Sequence, residues 1–93
     1  MGIFLKDPSA ALDYAVDWGA GYLDGQVITA SDWSVEPDEA GGIAVSATIA
    51  STSRTGATFA GGLAGNVYRV ANRVTLSDGR RDERSVVLRV EQR

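Results

Sequence analysis

Residues 68–91 read Tyr68-Arg69-Val70-Ala71-Asn72-Arg73-Val74-Thr75-Leu76-Ser77-Asp78-Gly79-Arg80-Arg81-Asp82-Glu83-Arg84-Ser85-Val86-Val87-Leu88-Arg89-Val90-Glu91, and this stretch decides the fold. Tyr68, Val70, Asn72, Val74 and Leu76 fall on one side of an extended chain, with Arg69, Ala71, Arg73 and Thr75 on the other. A period of two is the signature of a strand with one buried face. Asp78-Gly79 is a favoured hairpin turn, after which Val86, Leu88 and Val90 alternate with Val87, Arg89 and Glu91 in a last strand.

The same alternation recurs upstream. Leu12, Tyr14, Val16 and Trp18 share one side of a first strand, opposite Ala11, Asp13, Ala15 and Asp17. Gly19 to Gln26 is a glycine-punctuated connection with room for one helical turn. In the second strand, Val27 to Val35, the apolar set passes from Ile28 and Ala30 to Trp33 and Val35, a change of phase that predicts a β-bulge near Ser31-Asp32. Glu36 to Gly42 is a loop, since Pro37 has no N–H for a ladder and the paired glycines permit positive φ. Ile43, Val45, Ala47 and Ile49 form the inner set of a third strand. Ser51 to Gly56 turns the chain, and Ala57-Thr58-Phe59 forms a short fourth strand before the break at Gly61-Gly62. Five or six strands with turns between them predict an all-β, antiparallel sandwich over residues 1–93, a single domain. Leu63 to Val70 resembles the turn entering the penultimate strand of immunoglobulin-like sandwiches, with Tyr68 as the candidate tyrosine corner. Trp18 or Trp33 fills the space between the sheets, where its indole N–H needs an acceptor.

A chain of 93 residues closes one core, not two. It has no cysteine and no histidine, which removes disulfides, thiolate chemistry, the commonest metal ligand and the usual proton carrier near neutral pH. Serines are plentiful, but no ordinary base is present to activate one, and Lys6 is the sole lysine. Asp13 and Asp17 read as a solvated strand face. Asp78 to Glu83 departs from the calcium-loop spacing and holds two arginines. Neither glycine pair opens a helix as a phosphate loop does. No enzyme activity, cofactor or metal is therefore expected. The first residues lack the apolar core of a signal peptide, and no run spans a bilayer, so no membrane association is expected and synthesis in a cytosol is.

Charge divides along the chain. Residues 1–40 carry eight acids against Lys6, a net of −7, and residues 41–93 carry eight arginines against four acids, a net of +4. Overall charge is negative, and no aromatic alternates with the arginines on their own face, which argues against nucleic acid. Eight of nine basic residues are arginine, the cation favoured in protein interfaces. Opposite halves permit head-to-tail packing of copies, a contact that salt weakens, unless the halves interleave within the sandwich.

Four segments carry a family resemblance: Leu5-Lys6-Asp7-Pro8, Leu12 to Trp18, Ile28 to Val35, and Asn72 to Ser85. Together they resemble the small tailed-phage fiber-tail adaptor proteins, immunoglobulin-like domains encoded among virion structural genes. The most specific pieces are the K-D-P start, the D-W strand end and the G-R-x-D-E-R-S hairpin. The resemblance implies a virion component made in the bacterial host and assembled in many copies, with tail, neck or fiber proteins as partners and no catalytic residues. Asp82, Glu83 and Arg84, charged and beside a turn, are the candidate partner contacts, with Arg73 on the adjoining strand. A capsid decoration or adhesive module is the alternative. For a glycan-binding version, Tyr22 is the exposed loop aromatic.

Overall fold

The computed structural model describes residues 2–19 and 23–92. Seven strands run in order: β1 (Gly2–Lys6), β2 (Leu12–Asp17), β3 (Ile28–Glu36), β4 (Ile43–Ala50), β5 (Arg54–Gly61), β6 (Val67–Leu76) and β7 (Arg81–Val90). They form two sheets, ordered β1-β7-β6-β3 and β2-β5-β4, packed face to face as a sandwich. All pairings are antiparallel except that of β1 with β7. The strand β1 was not legible as alternation, because its five residues are too few to show a period.

Three local expectations are corrected. The phase change in β3 falls between Ile28 and Ala30, two residues earlier than Ser31-Asp32, so Ser31, Trp33 and Val35 share the inner side. β5 begins at Arg54, which shortens the preceding turn and makes the fourth strand of the reading eight residues long. The β6–β7 hairpin turns at Asp78-Gly79 as expected, through a three-residue loop. Leu76 N–H donates to the Arg80 carbonyl at 2.7 Å, the Leu76 carbonyl accepts from Gly79 N–H at 2.9 Å, and Gly79 takes φ +92°. In β4 the register slips between Ser46 and Ile49, and this turns Ile49 outward to 68% exposure. The connection after Trp18 is described only in part, since residues 20–22 lie outside the described residues.

The interior has two apolar clusters. One gathers Ile43, Ala57, Phe59, Tyr68, Val70, Val86, Leu88 and Val90; the other gathers Val16, Trp18, Leu23, Ile28, Val74 and Leu76. Along β6 the inward residues run Tyr68 and Val70 in the first cluster, then Asn72, then Val74 and Leu76 in the second. A polar layer thus separates them. The Trp18 indole N–H donates to Thr55 Oγ1 at 3.1 Å, and the Thr55 hydroxyl donates to Asn72 Oδ1 at 2.5 Å. Asn72 Nδ2 donates to Ser31 Oγ at 2.9 Å and to the Asp32 carbonyl at 3.0 Å. Thr55 and Asn72 are 1% and 0% exposed, and the layer uses the threonine hydroxyl as both donor and acceptor and both amide protons of the asparagine. It ties β2 and β5 of one sheet to β6 and β3 of the other.

Trp33 lies opposite Asn72 in the β3–β6 register and meets Phe59 edge to face, with ring centroids 5.7 Å apart. Its buried indole N–H has no acceptor among the described residues. The two tryptophans predict opposite responses. Thr55→Val keeps shape but strands the Trp18 donor and the Asn72 acceptor, so urea unfolding should show a loss on the order of 2–4 kcal/mol, recovered largely by Thr55→Ser. Trp33→Phe removes an unsatisfied donor and keeps the ring contact, so its cost should stay within about 1 kcal/mol.

Candidate functional site

The outer face of the four-stranded sheet presents cross-strand rows of side chains. Asp32 of β3, Arg73 of β6 and Glu83 of β7 stand abreast, and so do Glu36, Arg69 and Val87. Between these rows Ser34, Ala71 and Ser85 form a smooth centre. Glu83 accepts from Arg73 at 3.1 Å through one oxygen and from Arg69 at 3.3 Å through the other. These groups remain substantially exposed, so the cluster adds little to stability. Its significance is placement: one carboxylate holds two guanidinium groups on the outer face.

The four candidate contact residues do not form one group. Arg73, Asp82 and Glu83, together with Arg81, line a shallow open depression near the β6–β7 turn. Asp82 Oδ1 accepts the Glu83 backbone N–H at 2.7 Å. Arg84, on the other side of β7, lays its guanidinium 4.3 Å from the Trp18 ring centroid and donates to the Asp17 carbonyl at 3.3 Å. That cation–π contact roofs the lower core cluster and gives Arg84 a role within the sandwich. In the sequence Arg84 stands with Asp82 and Glu83 as a charged residue beside a turn, but alternation along β7 sets it on the face opposite Glu83. The Tyr22 candidate lies outside the described residues.

Charge interleaves where the two halves of the chain meet in the four-stranded sheet. The acids of β3 lie directly beside the arginines of β6, so part of the −7 and +4 division is offset within one molecule.

Tyr68 sits near the start of β6 and is fully buried. Its hydroxyl donates to Glu39 Oε1 at 2.6 Å and accepts the Leu63 backbone N–H at 3.0 Å, and Asn66 Nδ2 reaches the same Glu39 oxygen at 3.0 Å. The loop after β3 and the turn before β6 are thereby fixed to each other. The backbone contact of Tyr68 is the one the sequence predicts, whereas nothing in the local pattern points to the Glu39 carboxylate, 29 residues upstream.

The family profile of the podophage GP4 fiber-tail adaptor protein gp77 matches residues 6–89. The chain belongs to this family. No curated protein sequence matches it. The residues that carried the likeness sit at distinct places in this adaptor: Lys6 ends β1, the Asp17-Trp18 pair closes β2, and Gly79 to Ser85 form the β6–β7 hairpin.

Lys6, the sole lysine, is 2% exposed and donates from Nζ to the Gly61 carbonyl at 2.6 Å and the Asp7 carbonyl at 3.0 Å. It straps the end of β1 to the Gly61-Gly62 break. Burial pushes its ammonium below the ordinary value of 10.5, while the Asp7 charge pulls in the opposite direction. The unfolded chain therefore binds a proton at a pH where the folded chain has released it. Stability attributable to Lys6 rises with pH between the depressed folded value and 10.5, and is flat on either side. Compared with Lys6→Met across that interval, the wild-type urea midpoint should move upward relative to the variant; a constant difference would refute the assignment.

Proposed function

We propose that the protein is a non-enzymatic virion component, present in several copies, that joins the tail or neck of a phage particle to a fiber. The observation carrying this reading is the family match across residues 6–89, nearly the whole chain. The surface is consistent with it. The outer face of the four-stranded sheet presents the exposed side chains of Arg69 and Arg73, a residue type that recognises carboxylates through bidentate contacts. Within this reading the protein is made in the host cytoplasm and incorporated into the particle, and the depression of Arg73, Arg81, Asp82 and Glu83 is one contact.

We also read the sandwich as immunoglobulin-like. The sheets β2-β5-β4 and β3-β6-β7 follow the B-E-D and C-F-G strand order of such domains, and β1 joins the second sheet beside β7. The bond from the Leu63 backbone to the Tyr68 hydroxyl has the geometry of a tyrosine corner.

Quantitative mass spectrometry of purified virions, combined with capture of tail, neck and fiber proteins on the tagged protein, tests the adaptor reading. Several copies per particle and retention of tail and fiber components are expected. Retention should weaken as ionic strength rises from about 0.05 to 0.5 M, where screening shortens to a few ångströms. Capture of capsid protein alone would favour decoration, and absence from the particle would remove the adaptor reading.

A further inference from the structure

Each sheet has two free edges: β1 and β3 in one, β2 and β4 in the other. A free edge carries unpaired backbone donors and acceptors and invites another chain, so folded proteins shorten it or charge it. Here β1 is five residues long, β2 carries Asp13 and Asp17, and β3 carries Asp32 and Glu36. β4 is different. Its eight residues, Ile43-Ala44-Val45-Ser46-Ala47-Thr48-Ile49-Ala50, hold no charge and no proline.

Two local costs gather in the second half of β4. Ala47 has φ +49°, a conformation that L-residues other than asparagine and aspartate seldom adopt. The accompanying slip leaves Ile49 at 68% exposure, standing over Gly56 on the outer face. Separately, Trp33, whose buried N–H has no acceptor among the described residues, is one of the residues lining the gap between the β3 and β4 margins. Backbone strain and unsatisfied buried groups are found preferentially at functional sites.

That gap is an open groove of about 640 Å³ between the two margins, lined by Trp33, Val35, Gly42, Ile43 and Val45 among others. Its charged lining residues are Asp38 and Glu39, and residues 27–50 contain no lysine or arginine at all. An occupant that pairs with the β4 backbone must be extended, and one that matches the groove electrostatically must bring a cation. The β4 strand of a second copy brings none.

We propose that the free edge of β4 is a docking site for an extended segment of a neighbouring virion protein, one that adds a strand beside Ile43–Ser46 and places a basic side chain against Asp38. This rests on the adaptor reading and specifies its partner's chemistry. Main-chain pairing supplies affinity, and the groove selects small or apolar side chains at alternate positions.

Hydrogen exchange of the protein free and within purified virions tests this directly: amides of residues 43–46 should exchange about tenfold or more slowly in the particle. In a phage lacking the gene, Ala44→Lys, Ser46→Lys and Asp38→Lys supplied in trans should each reduce incorporation about tenfold while melting as wild type does, because a lysine on an edge opposes strand addition. Unchanged exchange at 43–46 in virions that contain the protein would overturn the proposal and leave the adaptor reading standing, as would normal incorporation of the folded variants. A homodimer in solution abolished by Ser46→Lys would assign the edge to a second copy and overturn it equally. Absence of the wild-type protein from virions would remove both readings.

Discussion

The hydrogen bond from Thr55 to Asn72 joins the two sheets at the level where their apolar clusters part. Neither residue has an alternative. Both are cut off from water, and among the described residues their side chains bond to each other, Trp18, Ser31 and the Asp32 backbone. A hydrophobic interior accepts many relative positions of two sheets, since apolar burial is not directional. A fully satisfied polar layer accepts one, because sliding either sheet by a residue would strand several buried groups. The register of β5 over β6 is thus set by chemistry rather than by area, and the orientation of the outer faces follows from it.

Trp18 is fixed from two directions. From within, its N–H meets Thr55; from outside, the Arg84 guanidinium covers its ring. The end of β2 is thereby held to the last strand of the opposite sheet. Arg84 spends its charge on closing the lower core. Arg69 and Arg73, whose partner Glu83 leaves them largely exposed, keep theirs at the surface. All three are exposed, so the partner of each guanidinium, the Trp18 ring or a surface carboxylate, separates the arginine of the fold from those of the outer face.

Much of this was legible in the chain. The alternation of Tyr68 to Leu76 and of Val86 to Val90 gave the central hairpin, and Leu12 to Trp18 gave β2, because a half-buried strand leaves a period of two. Asn72 stood in the inward set as the polar exception, yet its partner Thr55 lay in a stretch read as a turn. Neither β1 nor the first half of β5 showed alternation: β1 is too short, and Arg54 to Gly56 carries small or polar residues whose burial comes from neighbours. The outward turn of Ile49 was illegible for a different reason. Ile43, Val45, Ala47 and Ile49 alternate without a fault, and the slip that breaks the pattern resides in the backbone at Ala47. Glu39, which completes the Tyr68 contact, sat in a loop whose composition suggested only solvent.

The location of that slip has a physical logic. A bulge in β5 would interrupt ladders on both sides, to β2 and to β4, and would displace Thr55 from Asn72. In β4 it disturbs one ladder only, and its inner residues Ile43 and Val45 lie before the irregularity, where they keep their places against the core. The sandwich can therefore hold an irregular, uncharged margin without cost to the polar layer that sets its register. The two features are complementary: a rigid centre fixes where the edge stands, and an edge with a single neighbour keeps its outer backbone groups free to meet another chain.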